Sequence, residues 1–273
     1  MFKIGTNIIG IGNSGIEAVN RASLCDFTGA RLITVSGNME KSKAEFIYDS
    51  KNDFMSKAEK HYMSQTTTTI VAADCANPAE AALVCEICAI SSMMKSLTIA
   101  VVHMPSSLDK SYAQAKEYVD ELHCVCNGVV IMNDGYIDDF SNEFVSFLMA
   151  VSAGSDVNAV KRIASHEELC ELFSQHNDIY FASVRTNVAT DSHKYKSQCV
   201  SLRLENQLHI DVANNWIYIF SSNGEVPKSI MSEYVNAVDK KNISCMPTKK
   251  LCISDGDERL NMGEFLFAVL CAQ

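Results

Sequence analysis

The stretch Gly10-Ile11-Gly12-Asn13-Ser14-Gly15 places three glycines at the spacing G-x-G-x-x-G, after one apolar run and at the head of another. Such a turn can hold phosphate. Without Cβ atoms the backbone amides come close to an oxyanion, and the helix that follows aims the positive end of its dipole at the same point. The same glycines also let a strand fold tightly into a helix, and the motif alone leaves both readings open. A dinucleotide enzyme needs one thing more, an acid on the ribose at the end of the second strand. Here that strand ends Val35-Ser36-Gly37-Asn38 and no acid follows until Glu40, which places an NAD-dependent enzyme last among the readings.

Other residue types with chemical potential are scattered. The chain has 11 cysteines, and Cys85-Glu86-Ile87-Cys88 has the spacing of a redox pair or half a zinc site. No second pair or matching histidine pair accompanies it, and it falls within a helical pattern, so core packing is the expected role and no metal is expected. Cys124 and Cys126, beside His123, read the same way at the entry to a strand. Ser165-His166-Glu167-Glu168 fits a helix start: Ser165 as N-cap, the two acids in the first turn where the dipole favours them, and His166 facing solvent.

The elements that must position these residues follow from periodicity. Apolar strands are expected over Lys3–Gly10, Ala30–Ser36, Thr67–Ala73, Leu97–His103 and Cys126–Met132. Helices alternate with them. Ser14–Cys25 carries Ile16, Val19 and Ala22 on one face, and Ala79–Met94 opens with Pro78 in its first turn, where a missing N–H costs nothing. Leu108–His123 is amphipathic, whereas Lys41–Met63 is charged and reads as a surface helix or loop. Strands that are apolar throughout and alternate with helices predict a Rossmann-like parallel sheet covered on both faces. After Asn133-Asp134-Gly135 the pattern changes to helices near Ile137–Ala153 and Val157–Phe173. Segments at Tyr180–Arg185, Gln198–Leu204 and Trp216–Phe220 follow, then a helix over Val226–Asp239 and closing strands near Lys250–Ile253 and Glu264–Cys271. This predicts a nucleotide-domain-like part over 1–153, a linking helix region over 154–175 and a smaller α+β domain over 176–273, with a boundary near residue 175.

Composition narrows the function. A formal net charge of −10 argues against nucleic acid as the main partner, because phosphate neutralisation needs a basic face. No run of 18 apolar residues spans a membrane and no leader opens the chain, so no direct membrane insertion is expected and the protein reads as cytoplasmic with reduced thiols.

More of the chain speaks through likeness. Gly10-Ile-Gly-Asn-Ser-Gly-Ile-Glu-Ala-Val-Asn-Arg21 resembles the opening turn and helix of bacterial FtsZ, the tubulin-related division GTPase. Leu97-Thr-Ile-Ala-Val-Val, followed by Pro105, is similar to the family's strand and loop; Val129-Val-Ile-Met-Asn133-Asp134 resembles its I-x-I-P-N-D element; Asp255–Ala272 matches its final hairpin in placement. Order and spacing agree from Lys3 onward. The resemblance implies a tubulin/FtsZ-like fold, with GTP or GDP as ligand if the site is retained. It places the nucleotide contacts at Gly10, Gly12, Asn13, Ser14, Gly15, Asn20, Asp109 and Asn133. It puts the water-polarising acids that each family member lends its neighbour near Glu167 and Glu168.

The departures carry as much information. The family's glycine-rich second phosphate loop corresponds here to Ala72-Ala-Asp74-Cys-Ala-Asn77-Pro78, and no glycine occurs between Gly37 and Gly128. Side chains stand where bare backbone should approach phosphate. Asp74 adds like charge, Pro78 removes a donor, and Asn77-Pro78 suits a helix cap better. Ala113 replaces an arginine beside Asp109, and Leu148 falls where guanine would be read. The expectation is a divergent cytoskeletal or scaffold protein with weak or absent GTP binding and hydrolysis. It would act by self-association or on another protein, without needing hydrolysis. A second reading keeps an active, divergent GTPase that forms nucleotide-dependent filaments.

Overall fold

A computed structural model of the chain describes residues 6–25, 27, 29–62, 68–133, 140–151, 173, 178–188, 192–207, 215–241 and 249–272. It divides into two units: Met1–Val145 with Phe173–Asp178, and Ser146–Leu172 with Ile179–Gln273.

The first unit is built on a parallel sheet. Its strands are β1 (Thr6–Ile11), β2 (Ala30–Val35), β3 (Phe46–Tyr48), β4 (Thr68–Asp74), β5 (Leu97–Met104) and β6 (Gly128–Asn133). They lie side by side as β3-β2-β1-β4-β5-β6, every pair parallel. Ile8, Ile9, Ile33, Val71, Val101 and Val130 are wholly buried, as a sheet covered on both faces requires. The chain runs from β1 to β2 in one direction and returns to β4 on the other side of β1. The order thus reverses there, and the crevice beyond the carboxyl ends of β1 and β4 is where such sheets bind ligands.

Helices α1 (Gly12–Ala22), α2 (Lys51–Lys57), α3 (Pro78–Met93) and α4 (Tyr112–Val125) connect these strands. Ile16, Val19 and Ala22 are buried on α1, as their spacing predicts. In α3, Asn77 caps the helix by accepting from the Ala79 amide at 3.1 Å, with Pro78 in the first turn. The charged stretch 41–63 is richer than a surface helix or loop. It holds the edge strand β3, α2 and a buried histidine, because aromatic residues spaced through it (Phe46, Tyr48, Phe54, His61) close on one another. Cys88 and Cys126 pack in the core, and burial pushes the neighbouring Cys85 thiol up to about 12. Helix α5 (Phe140–Val151) begins in this unit.

In the second unit β7 (Asp178–Asn187), β10 (Glu264–Ala272), β8 (Asn215–Ser222) and β9 (Lys249–Gly256) form a mixed sheet. Strand β10 is antiparallel to both β7 and β8, and β8 is parallel to β9. Helices α6 (His193–Gln207) and α7 (Lys228–Lys241) cover it through Val200, Leu204, Tyr234 and Val238, which meet Tyr218, Phe220, Phe265 and Phe267. The segment Gln198–Leu204 is thus helical: Val200 and Leu204 are four residues apart on one buried face, a period that a short apolar run hides. The expected linking region over 154–175 lies, apart from Phe173, outside the described residues, as do Glu167 and Glu168.

Candidate functional site

The glycine turn sits at the carboxyl end of β1, in the crevice where the strand order reverses. Two of its glycines have a packing reason. A Cβ on Gly10 would lie 2.1 Å from the carbonyl oxygen of Gly15, and one on Gly15 would lie 2.5 Å from the carbonyl oxygen of Ala72. Helix α1 therefore crosses β1 and β4 at a separation that side chains forbid. Gly12 has a different reason. Its φ is +66°, a left-handed conformation, and a Cβ there would lie 2.1 Å from Cδ of Glu80.

Glu80 is the residue that sequence reasoning missed. Ile11, at the N-cap of α1, has no side chain that can cap, and no acid stands in the first turn of that helix. The cap comes from another helix: Oε1 of Glu80, in the first turn of α3, accepts the Asn13 amide at 3.2 Å and the Asn77 side-chain amide at 3.2 Å. Oε2 of Glu80 is buried with no hydrogen-bond partner among the described residues. Burial raises the Glu80 pKa, and the charge of Asp74 adds to the rise against the pull of the Asn13 amide. The signal in the sequence was Asn77-x-x-Glu80, which has the spacing of a capping box. That pattern points Glu80 at its own helix and says nothing of α1.

The second turn, Asp74–Asn77, closes on itself. Asp74 accepts the Ala76 amide at 2.9 Å and pairs with Nδ1 of His103 at 3.0 Å. Burial would lift the Asp74 pKa, but the bonds to His103 and Ala76 outweigh it and hold the carboxyl below its ordinary value. Strand register puts Asp74 opposite His103, and the ring of His103 lies 5.8 Å from that of Phe140. The Cys75 amide donates to the His103 carbonyl at 3.0 Å, so this amide, too, points into the fold.

The remaining predicted contacts are placed as follows. Asn13 is exposed at the turn, and its side chain accepts the Asn38 amide at 2.9 Å, drawing the loop after β2 over the glycines. Ser14 is half-buried in the first turn of α1. Asn20 uses both ends of its amide on backbone, donating to the Lys41 carbonyl at 2.8 Å and accepting the Lys43 amide at 2.6 Å. Asp109 is exposed and folds onto Ser111, accepting its amide at 2.8 Å and its hydroxyl at 2.7 Å. Asn133 ends β6 opposite Met104. Leu148 is wholly buried, and Ala113 is exposed. A groove of about 470 Å³ runs beside α1, lined by Asn13, Ile16, Glu17, Asn20, Asn38 and Lys41. Among the described residues no group of three or more His, Cys, Asp or Glu side chains is arranged to hold a metal, and no helix is long and apolar enough to cross a membrane.

No protein-family model matches the sequence, and no curated protein does. Solved structures do match. A point mutant of FtsZ from M. jannaschii superposes with a TM-score of 0.77 at 11% identity, covering 99% of this chain and 91% of the other. A GTPγS-bound protofilament of CetZ2 from Haloferax volcanii gives 0.69 at 10% identity, covering 97% and 92%. GDP-form protofilaments of TubZ from Bacillus thuringiensis serovar israelensis give 0.63 at 11% identity, covering 98% and 85%. With the sheet order, the reversal at β1 and the smaller mixed-sheet unit, this likeness establishes that the chain has the tubulin/FtsZ fold.

Proposed function

We propose that this protein is an FtsZ/tubulin-like cytoskeletal or scaffold protein that works by protein–protein assembly in the cytoplasm, with weak or absent GTP binding and hydrolysis. The observation that carries the reading is the turn at Asp74. Where a second phosphate cradle would need free amides and no side chains, an ionised carboxylate is held in place by His103 and the Ala76 amide. A like charge a few ångströms from a phosphate in a half-buried site opposes binding by a few kcal/mol. Leu148 supports the same reading: the resemblance puts it where guanine would be read, and a leucine side chain has no donor or acceptor for that edge. Solved proteins of this fold include protofilaments, so assembly through protein surfaces is a use the architecture already serves.

The competing reading is an active, divergent GTPase, with the glycine turn on phosphate and Glu167 or Glu168 on water. The groove beside α1 favours it, because it leaves room next to Asn13. Turnover decides between the two. GTP hydrolysis by purified protein should stay at background over a wide range of protein concentration. A rate per molecule that climbs with concentration overturns the proposal, since it is the mark of a site completed by a neighbouring subunit.

A further inference from the structure

We infer that Glu80 is an internal occupant of the glycine turn: its carboxylate sits where the oxyanion of a phosphate ligand would sit, and it competes with such a ligand for the same amide. The inference rests on reading Gly10–Gly15 as a phosphate-type cradle, and it adds what holds that cradle closed.

Three observations converge. The carboxylate of Glu80 comes so close to Gly12 that a Cβ there would fall 2.1 Å from Cδ and 2.3 Å from Oε1. Gly12 is thus bare where an anion approaches, and the anion is supplied by the chain itself. Second, Oε1 takes the Asn13 amide at 3.2 Å, an N–H at the start of α1 of the kind that binds phosphate oxygens when a ligand is present. No residue of α1 caps this end, so Glu80 also supplies what a capping side chain would. Third, the fit is incomplete. Oε2 is buried without a partner among the described residues, and Asp74 lies close enough to raise the Glu80 pKa. A carboxylate with both of its 3.2 Å bonds on one oxygen, its second oxygen unsatisfied and another acid nearby, is a replaceable occupant. Asn77 donates to the same oxygen at 3.2 Å and steadies the side chain.

The ligand excluded is one bearing a phosphate small enough for a single cradle, since the turn at Asp74 offers no second one. GDP and inorganic phosphate are therefore the probes. Wild-type protein, Glu80→Ala and Glu80→Gln are titrated with each at fixed ionic strength, with far-UV circular dichroism as a check on folding. Glu80→Ala should bind GDP at least tenfold more tightly than wild type. Glu80→Gln, which keeps an oxygen for Asn13 but loses the charge, should gain about threefold. A gain for GDP and phosphate alike assigns the effect to the cradle; a gain for GDP alone assigns it to the cradle together with the groove beside α1. Equal or weaker GDP binding by a folded Glu80→Ala overturns the inference. If Glu80→Ala does not fold, Glu80→Gln decides it by the same comparison. Tight GDP binding by the wild type would count against the proposed function, whereas the ratio between variants and wild type speaks only to Glu80.

Discussion

At the scale of single residues, His61 shows how far burial moves a group. The residue is 1% exposed, and its ring stacks on Phe54 at 6.2 Å between centroids and has Tyr48 Oη 2.6 Å from Nε2. Its carbonyl accepts from the Asn7 side chain at 3.1 Å and from Arg31 at 2.5 Å. Loss of solvent, with the nearby charges of Lys60 and Arg31, holds the imidazole pKa down at about 4. The sign follows from linkage. A base that takes its proton more readily when unfolded stabilises the fold above its unfolded pKa, near 6.5, and that stability is lost as pH falls toward about 4. Between pH 7 and pH 5 the wild type should therefore lose about 2 kcal/mol more than His61→Asn. Urea unfolding of both proteins at the two pH values measures this, and parallel losses would place the ring's titration elsewhere.

At the scale of elements, the crossing of α1 over β1 and β4 is the critical contact. Gly15 faces backbone atoms of Gly10 and Ala72, which cannot swing aside as a flexible side chain can. Gly15→Ala should cost about 1–3 kcal/mol by overpacking, read as a lower urea midpoint. Gly256→Ala is the control: a Cβ there meets nothing within 4 Å, and its effect should stay within about 0.5 kcal/mol. The strands of the first unit were legible because both of their faces are buried, which writes a continuous apolar run. Strand β3 was not, since three residues inside a charged stretch give no period, and neither was α6, whose buried Val200 and Leu204 share their run with Ser201 and Leu202. The glycine turn was legible as a motif, yet its contents were not. Glu80 meets Asn13 across 67 positions and His103 meets Asp74 across 29, and only strand register and helix placement bring such partners together.

At the scale of the whole molecule, charge and fold make a joint prediction about assembly. A chain with a formal net charge of −10 repels its copies at long range, and salt screens that repulsion over about 10 Å at 0.1 M. Contacts between copies must then come from short-range packing, which salt does not weaken. Where nucleotide sits at the contact between subunits, its phosphates are part of that contact and the critical concentration depends on it. If the turn at Asp74 excludes those phosphates and Glu80 fills the turn at Gly12, the contact has to be complete without them. Self-association should therefore strengthen between 50 and 300 mM salt. At each salt concentration, adding GTP or GDP should leave the critical concentration unchanged. Pelleting and light scattering over a dilution series measure both quantities. A critical concentration that falls when GTP is added, and recovers as the nucleotide is depleted, would mean that phosphate completes the contact after all and that Asp74 leaves room for it.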